Sequence, residues 1–260
     1  EQQAVDDARY REAAGGAGNF LFGQMVDGET VYRRFADGHR GHAGSLEDHA
    51  YLLDAALDLY EATFDPVWLE RALALLAATD KKFRDAKEGG YYLAEPRPDL
   101  LVRVKQAMDD AIPSPNAVMV RAKARLAELT GRAELRTEAQ ADADAFAGMA
   151  RRFPSAFAHM VLALYMLHGD PFEIVLSGDL ESKEGAALLR EIHTRFLPAR
   201  VLARAGGPHG ARAAKLIPLL EGRDVAGAPP TVHVCRKRVC KLPVTQPAAL
   251  APRFFFDEGR

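Results

Sequence analysis

Two adjacent carboxylates, Glu47 and Asp48, could perform general acid–base chemistry. They open a run of apolar residues at helical spacing, directly after the polar loop 39–43. Two carboxylates in different environments can divide the roles of acid and base. We therefore predict both as catalytic, with Asp110 as a third catalytic carboxylate and His49 as a substrate contact. In the simpler alternative, Asp48 only caps its helix and Glu47 only favours the positive end of the helix dipole.

A second polar cluster lies in a proline-rich stretch that ends at Asn116. A sugar needs convergent hydrogen-bond donors and acceptors, and this cluster supplies both kinds. Arg103 and Lys105 would share one face if 100–105 is extended. Ser114 or Asn116 could instead serve only as a helix cap. The predicted substrate-binding residues are His49, Arg103, Lys105, Asp109, Ser114 and Asn116.

Histidines near Glu47 raise the question of a metal site, because imidazole and carboxylate are ordinary metal ligands. The spacing of His39, His42 and His49 matches no known metal-binding motif. A solvated loop is the favoured interpretation, and we predict no metal and no other cofactor. The segment 206–210 is glycine-rich but lacks the spacing of a nucleotide-binding loop, so we interpret it as a turn.

The two cysteines, Cys235 and Cys240, could form a redox pair, or bind zinc together with His233. Their C-x4-C spacing is not that of a C-x-x-C motif, so a packing role for at least one thiol is favoured and redox chemistry is the alternative. The basic residues around them favour a charge-protected sheet edge over nucleic-acid binding.

Helical hairpins are predicted to position the two polar clusters. Ser45 and Asp48 form a capping-box pattern at the start of one helix, and Pro66 opens the next, which runs to about residue 83. The stretch from Leu59 to Ala72 aligns without gaps on the stretch from Leu126 to Ala139, as expected for stacked hairpins. Further helices are predicted at 116–130, 133–150 and 154–168.

The long connection 84–115 carries two strand-like runs, at 91–95 and 100–104, and connections of this length often carry function. After Gly169, short strands at 172–176, 200–205 and 231–235 alternate with helices at 183–196 and 210–221. We therefore predict a mainly α fold. Helical hairpins occupy residues 1–170, and a small α/β domain with a mainly parallel sheet occupies residues 171–260.

The composition limits the possible partners. The chain has 260 residues, 34 basic and 36 acidic side chains and a formal net charge of −2, so no overall field attracts nucleic acid or anionic lipid. Two cysteines fit a reducing compartment, and no apolar stretch is long enough to span a bilayer. We expect a cytoplasmic protein with no membrane or nucleic-acid partner. The chain reads from its start as the middle of a helical protein, so we expect a preceding part.

Four stretches, GSLEDHA at 44–50, LYEATFDP at 59–66, DAIPSPN at 110–116 and CRKRVCKLP at 235–243, match one family in order and spacing. The chain resembles the C-terminal part of the thioredoxin-domain-containing DUF255 family, also called spermatogenesis-associated protein 20-like. The resemblance covers nearly the whole chain. The chain departs from the family pattern at His49, where an aromatic residue is usual, and at Pro115, where a glycine is usual.

The resemblance implies a partial (α/α) toroid of helical hairpins, similar to the six-hairpin toroid of N-acylglucosamine 2-epimerase. It also implies an N-terminal thioredoxin-like domain and a first half of the toroid that this chain lacks. The fold class favours a protein that acts on or binds a carbohydrate, although fold alone is weak evidence for activity. The alternative is a non-catalytic interaction or scaffold module that serves the missing thioredoxin-like domain.

Overall fold

The computed structural model describes residues 8–224 and 227–254. Helices dominate its N-terminal two thirds, and a mixed sheet follows. The helices are α1 (Ala8–Phe20), α2 (Leu46–Thr63), α3 (Pro66–Phe83), α4 (Pro115–Thr130), α5 (Ala133–Asp144), α6 (Ala147–Arg152), α7 (Ala158–His168), α8 (Lys183–His193), α9 (Gly210–Leu216) and α10 (Ala251–Phe254). The strands are β1 (Val26–Asp27), β2 (Thr30–Ala36), β3 (His39–Ala43), β4 (Phe172–Ser177), β5 (Arg200–Arg204), β6 (Thr231–Arg236) and β7 (Val239–Cys240).

Helix α2 begins where its capping box predicts. The Asp48 carboxylate accepts a hydrogen bond from the Ser45 backbone N–H at 2.7 Å, which satisfies a donor that the helix leaves without a partner. One side of the helix is fully buried, including Leu53 and Leu57. The helix ends at Thr63 and is capped by Phe64, whose left-handed backbone reverses the chain into α3.

The predicted repeat of hairpins is visible in equivalent hydrogen bonds. The Thr63 hydroxyl donates to the Leu59 carbonyl at 2.7 Å near the end of α2. At the aligned position in α4, the Thr130 hydroxyl donates to the Leu126 carbonyl at 2.6 Å. Each helix then ends in a left-handed residue and turns into a second helix.

The hairpins form two layers. Helices α2, α4 and α7 lie side by side in the first layer, while α3 packs against α2 and α5 packs against α4 in the second. The long connections between hairpins return from the second layer to the first. The starts of α2, α4 and α7 therefore lie at one edge of the bundle, which we call the helix-start edge.

Four predicted helices differ from the observed ones in their bounds. The helix predicted at 133–150 is divided into α5 and α6, and the one predicted at 154–168 begins with the 3-10 turn Pro154–Phe157 before α7. The helices predicted at 183–196 and 210–221 end earlier, at His193 and Leu216.

Strand predictions in the N-terminal part are wrong at both places. Segment 39–43, interpreted as a polar loop, is β3 of an antiparallel sheet in the order β1–β2–β3. The turn between β2 and β3 uses Asp37 and Gly38, both with positive φ, as a tight hairpin requires. Segments 91–95 and 100–104 are not strands, and Tyr91 forms only an isolated bridge with Arg84.

The C-terminal sheet has the strand order β5–β4–β6–β7. Only β4 and β5 are parallel, whereas β4–β6 and β6–β7 are antiparallel, so the mainly parallel sheet predicted from sequence is wrong. Both faces of β4 are buried. Val175 joins the core of the helical layers, and Ile174 packs in a second core with Leu188 of α8. Burial on both faces explains the consecutive apolar residues Ile174 to Leu176 of β4.

Within the described residues, no helix combines the length and the apolar character needed to cross a membrane.

Candidate functional site

Side chains tie the helix-start edge together. The Tyr51 hydroxyl, in the first turns of α2, donates a hydrogen bond to the Pro113 carbonyl just before α4 at 2.5 Å. The Asp109 carboxylate accepts one from the His159 backbone N–H at the start of α7, at 2.8 Å. The two polar clusters found in the sequence therefore lie next to each other at this edge.

Glu47 and Asp48 share one cationic partner on β2. Arg33 lies 2.9 Å from the Glu47 carboxylate and 3.4 Å from that of Asp48. The capping role of Asp48 is confirmed, since its other oxygen holds the Ser45 N–H. Glu47 is partly exposed and makes no cap, so it is the better placed of the two to meet a ligand.

His49 lies in the core, which corrects the expectation of an exposed substrate contact. Its side chain is fully buried, and its ring stands edge-on to Phe83 with 4.9 Å between the centroids. Its Nδ1 lies 3.0 Å from the Ser45 carbonyl. Burial lowers the pKa of His49, so the neutral ring acts as a packing group.

Ser114 and Asn116 are also buried, which corrects their assignment as substrate contacts. Ser114 is the N-cap of α4, as the alternative interpretation had it, and its hydroxyl donates to the Gln106 carbonyl at 3.0 Å. The Asn116 amide accepts from the Tyr91 N–H at 2.7 Å and donates to the Tyr91 carbonyl at 3.0 Å and the Gln106 carbonyl at 2.8 Å. Asn116 therefore clamps the connection 84–115 onto α4.

Arg103 and Lys105 do share one face, although segment 100–105 is not a strand. Both cations lie over the Tyr92 ring, at 4.0 Å and 4.9 Å from its centroid. Arg103 donates to the Ala94 carbonyl at 2.9 Å, and Lys105 pairs with Asp85 at 2.8 Å. These contacts hold the connection together. Both side chains remain partly exposed, and their role as substrate-binding cations stays a prediction.

The two aspartates before α4 differ in environment. Both oxygens of Asp109 accept backbone hydrogen bonds, from Ser114 at 2.8 Å and from His159 at 2.8 Å. Asp109 is therefore a positioning group that joins the starts of α4 and α7. Asp110 is exposed at the same edge, and it is the predicted carboxylate of this cluster that reaches solvent.

The histidines considered as metal ligands do not converge. His39 and His42 are exposed on β3, whereas His49 is in the core. No group of three or more His, Cys, Asp or Glu side chains that could hold a metal ion is found in the part of the chain that the structure describes.

Sequence reasoning missed a ladder of opposite charges between α2 and α4. Arg121 lies 3.2 Å from the Asp54 carboxylate. Arg125, almost fully buried, lies 2.9 Å from Asp54, 2.8 Å from Asp58 and 3.2 Å from Glu61. The signal was available, because the acids recur at helical spacing on one side of α2 and the arginines are four residues apart on α4.

A cavity of about 1040 Å³ opens beside this ladder, between α1, α2, α4 and the segment before β5. Its walls are apolar where α1 and residues Leu52, Ala55 and Leu59 of α2 face it. The charged residues that line it are Asp58, Glu61, Arg121, Arg125 and Arg200.

His159 stands at the helix-start edge and was not predicted. Among the described residues its Nε2 atom has no hydrogen-bond partner although the atom is buried. Burial, and then the nearby Arg121, lower the pKa of His159, so the ring is neutral at neutral pH.

A buried ion cluster supports this edge from the second layer. Lys123 of α4 is fully buried and lies 2.9 Å from the Asp142 carboxylate and 3.0 Å from that of Glu138. Asp142 also accepts the Gly90 N–H at 3.0 Å. The cluster therefore fixes the connection 84–115 as well as the packing of α4 on α5.

Cys235 and Cys240 form a disulfide across the β6–β7 hairpin, where they are directly opposite in register. This pairing shows the two sulfurs bound to each other and not arranged as zinc ligands with His233.

The helix-start edge supplies groups suited to binding hydroxyl groups. Its polar side chains with partial exposure are Glu47, Tyr51, Asp54, Arg121 and His159, with Asp110 exposed beside them. Glu47 and Asp54 are already paired with arginines, and their carboxylate oxygens can still accept hydrogen bonds from a neutral ligand. The arrangement therefore fits the binding of a neutral polyol better than it fits a ready pair of catalytic carboxylates.

No protein-family model matches the chain. A search of solved structures finds likeness to a GH76 alpha-mannanase of Bacteroides thetaiotaomicron, with a TM-score of 0.50 and 16% identity, covering 65% of this chain and 49% of that one. At this identity the likeness concerns the fold alone, that of a glycosidase with an (α/α) toroid.

Curated sequences give stronger matches. The chain is 35% identical to spermatogenesis-associated protein 20 of Rattus norvegicus and 34% identical to that of Homo sapiens, each over 80% of the chain. It is 26% identical, over 93% of its length, to an uncharacterized protein of Caenorhabditis elegans. The chain spans 26% and 27% of the length of the rat and human proteins. The chain is therefore a homologue of part of spermatogenesis-associated protein 20.

Proposed function

We propose that the helix-start edge is part of a carbohydrate-binding site. The single observation that supports this most is the junction of the two polar clusters, through Tyr51 with Pro113 and Asp109 with His159. It leaves hydrogen-bonding groups of both clusters at one surface. Sugars are bound by such convergent sets of donors and acceptors.

In this proposal the two layers of hairpins are part of an (α/α) toroid. The rest of the ring, and a thioredoxin-like domain, belong to the part of the full-length protein outside this chain. The similarity to a GH76 alpha-mannanase fold supports the ring, and the span of about a quarter of the relatives supports a longer protein. The completed ring would close the open side of the cavity beside α2 and α4.

Within this site we assign ligand contact to Glu47 and Asp110. Glu47 and Asp110 are the predicted catalytic carboxylates that reach the surface. Any acid–base step would fall to them, because Asp48 and Asp109 are occupied by backbone N–H groups. Binding is the primary claim, and turnover is tested in the same samples.

The test is thermal unfolding of the full-length protein with mannose, α-linked manno-oligosaccharides and unrelated neutral sugars. A ligand that binds only the folded state at 100 times its Kd stabilises it by about 2.7 kcal/mol. We expect at least one sugar to raise the unfolding temperature. Glu47→Gln and Asp110→Asn should abolish that rise and leave the ligand-free temperature nearly unchanged.

Matched controls are Glu134→Gln and Glu184→Gln, which alter exposed carboxylates in the first turns of α5 and α8, away from this edge. Both should keep the full response. If the control and site variants respond alike, or if no sugar has an effect, the carbohydrate proposal is rejected.

A second proposal rests on a different observation, the apolar surface of α7. This helix is apolar on all sides, yet Val161 and Tyr165 are 54% and 48% exposed. Helices of this composition are normally covered. We propose that another part of the full-length protein covers this face, with the helical part acting as an interaction module for the thioredoxin-like domain.

Accessibility in the full-length protein tests the second proposal. A Val161→Cys variant should react with a maleimide much more slowly than Leu101→Cys, whose site is fully exposed in the chain. Labelling is read at each position by mass spectrometry. Equal rates would show that α7 stays uncovered and would reject the interaction module.

A further inference from the structure

The Cys235–Cys240 disulfide is accessible from one side only. Cys235 is fully buried on β6, whereas Cys240 on β7 is exposed. The bond joins residues separated by five positions. Disulfides that close short loops restrict the unfolded chain least, so a purely structural role would gain little from this one.

One arginine is fixed against both sulfurs. The Nη2 atom of Arg223 lies 2.9 Å from Cys240 Sγ and 3.6 Å from Cys235 Sγ. Its Nη1 atom donates to the Leu219 carbonyl, which holds the guanidinium in place. A cation beside a cysteine stabilises the thiolate, which is the reactive form in thiol–disulfide exchange.

Other charged groups near the pair largely offset one another. Glu173 on β4 is directly opposite Cys235, and its carboxylate is bound by the backbone N–H and the side chain of Arg238 at 3.1 Å and 3.3 Å. His233 lies two residues before Cys235, and its pKa is lowered by burial and by Arg223. Arg223 therefore remains the cation in contact with the sulfurs.

We propose that Cys235 and Cys240 form a reversible redox site that exchanges electrons with a protein dithiol. The proposal is independent of the carbohydrate site, because it depends on other residues in the C-terminal sheet. It assigns a role to a pair that the helix-start edge does not use.

The exchange balances in two steps. A thiolate of the dithiol attacks the exposed Cys240 Sγ, the Cys235–Cys240 bond breaks, and its electron pair stays on Cys235 Sγ, which takes up a proton. The second thiolate of the dithiol then attacks its own partner sulfur in the mixed disulfide and releases Cys240 as a thiolate beside Arg223. The chain gains two electrons, and the dithiol is oxidised to a disulfide.

The first experiment uses reduced thioredoxin as the dithiol and the full-length protein without denaturant. Mass spectrometry of the peptides that carry Cys235 and Cys240 reads their redox state, and circular dichroism reads the fold. We expect both cysteines to be reduced while the spectrum is unchanged. Reduction only after unfolding would overturn the proposal.

The second experiment measures alkylation of reduced Cys240 by iodoacetamide against pH. We expect its midpoint below that of a free thiol, about 8.5. Arg223→Gln should raise the midpoint, and a rise of one pH unit corresponds to a rate at neutral pH about tenfold lower.

The matched control is Lys237→Gln, which removes another cation of the β6–β7 hairpin. Lys237 pairs with Asp170 and not with the sulfurs. This variant should keep the wild-type midpoint. If Arg223→Gln does not fold, the wild-type midpoint alone decides, since a value at or above 8.5 would reject the role of Arg223.

Discussion

Replacing Asn116 by alanine should open the connection 84–115 rather than remove a ligand contact. The amide makes three hydrogen bonds, of 2.7, 3.0 and 2.8 Å, to the backbone of Tyr91 and Gln106. Tyr91 is fully buried, so water cannot replace its lost partner without local opening.

The magnitude follows from the number of bonds. A typical hydrogen bond contributes about 1 kcal/mol net, and a buried group left without a partner costs about 1–3 kcal/mol. Three bonds to one segment therefore correspond to about 3 kcal/mol for closing the connection. A free-energy change of about 1.4 kcal/mol alters an equilibrium constant tenfold. The segment of Asn116→Ala should therefore open about 150 times more often than that of the unaltered protein.

Hydrogen exchange of the full-length protein, read by mass spectrometry, measures this opening directly. In Asn116→Ala, peptides covering 84–115 should exchange about two orders of magnitude faster, and peptides of β4 should be unchanged. Asp110→Asn is the matched control at the same edge, because its exposed side chain should affect exchange little. Unchanged exchange together with a lost response to sugars would refute the clamp and restore Asn116 as a ligand contact.

Three further predictions concern charged groups. Lys123→Met leaves the buried charge of Asp142 less compensated, so it should lower the free energy of unfolding, measured in urea, by about 3 kcal/mol. A loss below about 1 kcal/mol would contradict the role of the buried ion cluster. Arg33→Gln removes a half-exposed partner of Glu47 and should change stability by less than about 1 kcal/mol, so a larger loss in thermal unfolding would contradict this assessment. Burial lowers the pKa of His193 from 6.5 to about 4, so the unfolded state binds the proton first and stability should fall as the pH drops from about 6.5 towards 4. This loss of stability amounts to at most about 3 kcal/mol in total, and His193→Gln should remove it. An unchanged dependence of stability on pH in this variant would refute the role of His193.

Helices were predictable because their signals are local. The capping box of Ser45 and Asp48 marks the start of α2, and Pro66 marks the start of α3. The alignment that pairs Thr63 with Thr130 predicted a repeated hairpin, and α2 with α3 and α4 with α5 do pack as two successive hairpins. Caps and apolar stripes depend on neighbours within one or two turns, which the sequence displays directly.

The two polar clusters lie together at the helix-start edge, but the sequence did not indicate the role of each side chain within them. Asn116 and Lys123 look like surface residues in the sequence, yet both are buried because distant partners satisfy them. Those partners, Tyr91 and Asp142, are 25 and 19 residues away. No periodic pattern carries such pairings, so a polar side chain that clamps a connection resembles one that binds a ligand.

The β-structure shows two different failures. The Asp37–Gly38 turn was a usable hairpin signal between β2 and β3 that the sequence reading passed over. The direction of β6 was not readable, because alternation and apolar runs report which faces are buried and not which way a strand runs.

The double burial of β4 also affects how the protein can be divided for experiments. Truncation near residue 170 would remove Val175 and its neighbours from the helical layers and leave a strip of apolar surface on both products. Such strips promote aggregation. A shortened recombinant form that stops there should therefore be recovered in poor yield, even though the change in sequence periodicity makes that position look like a natural place to cut.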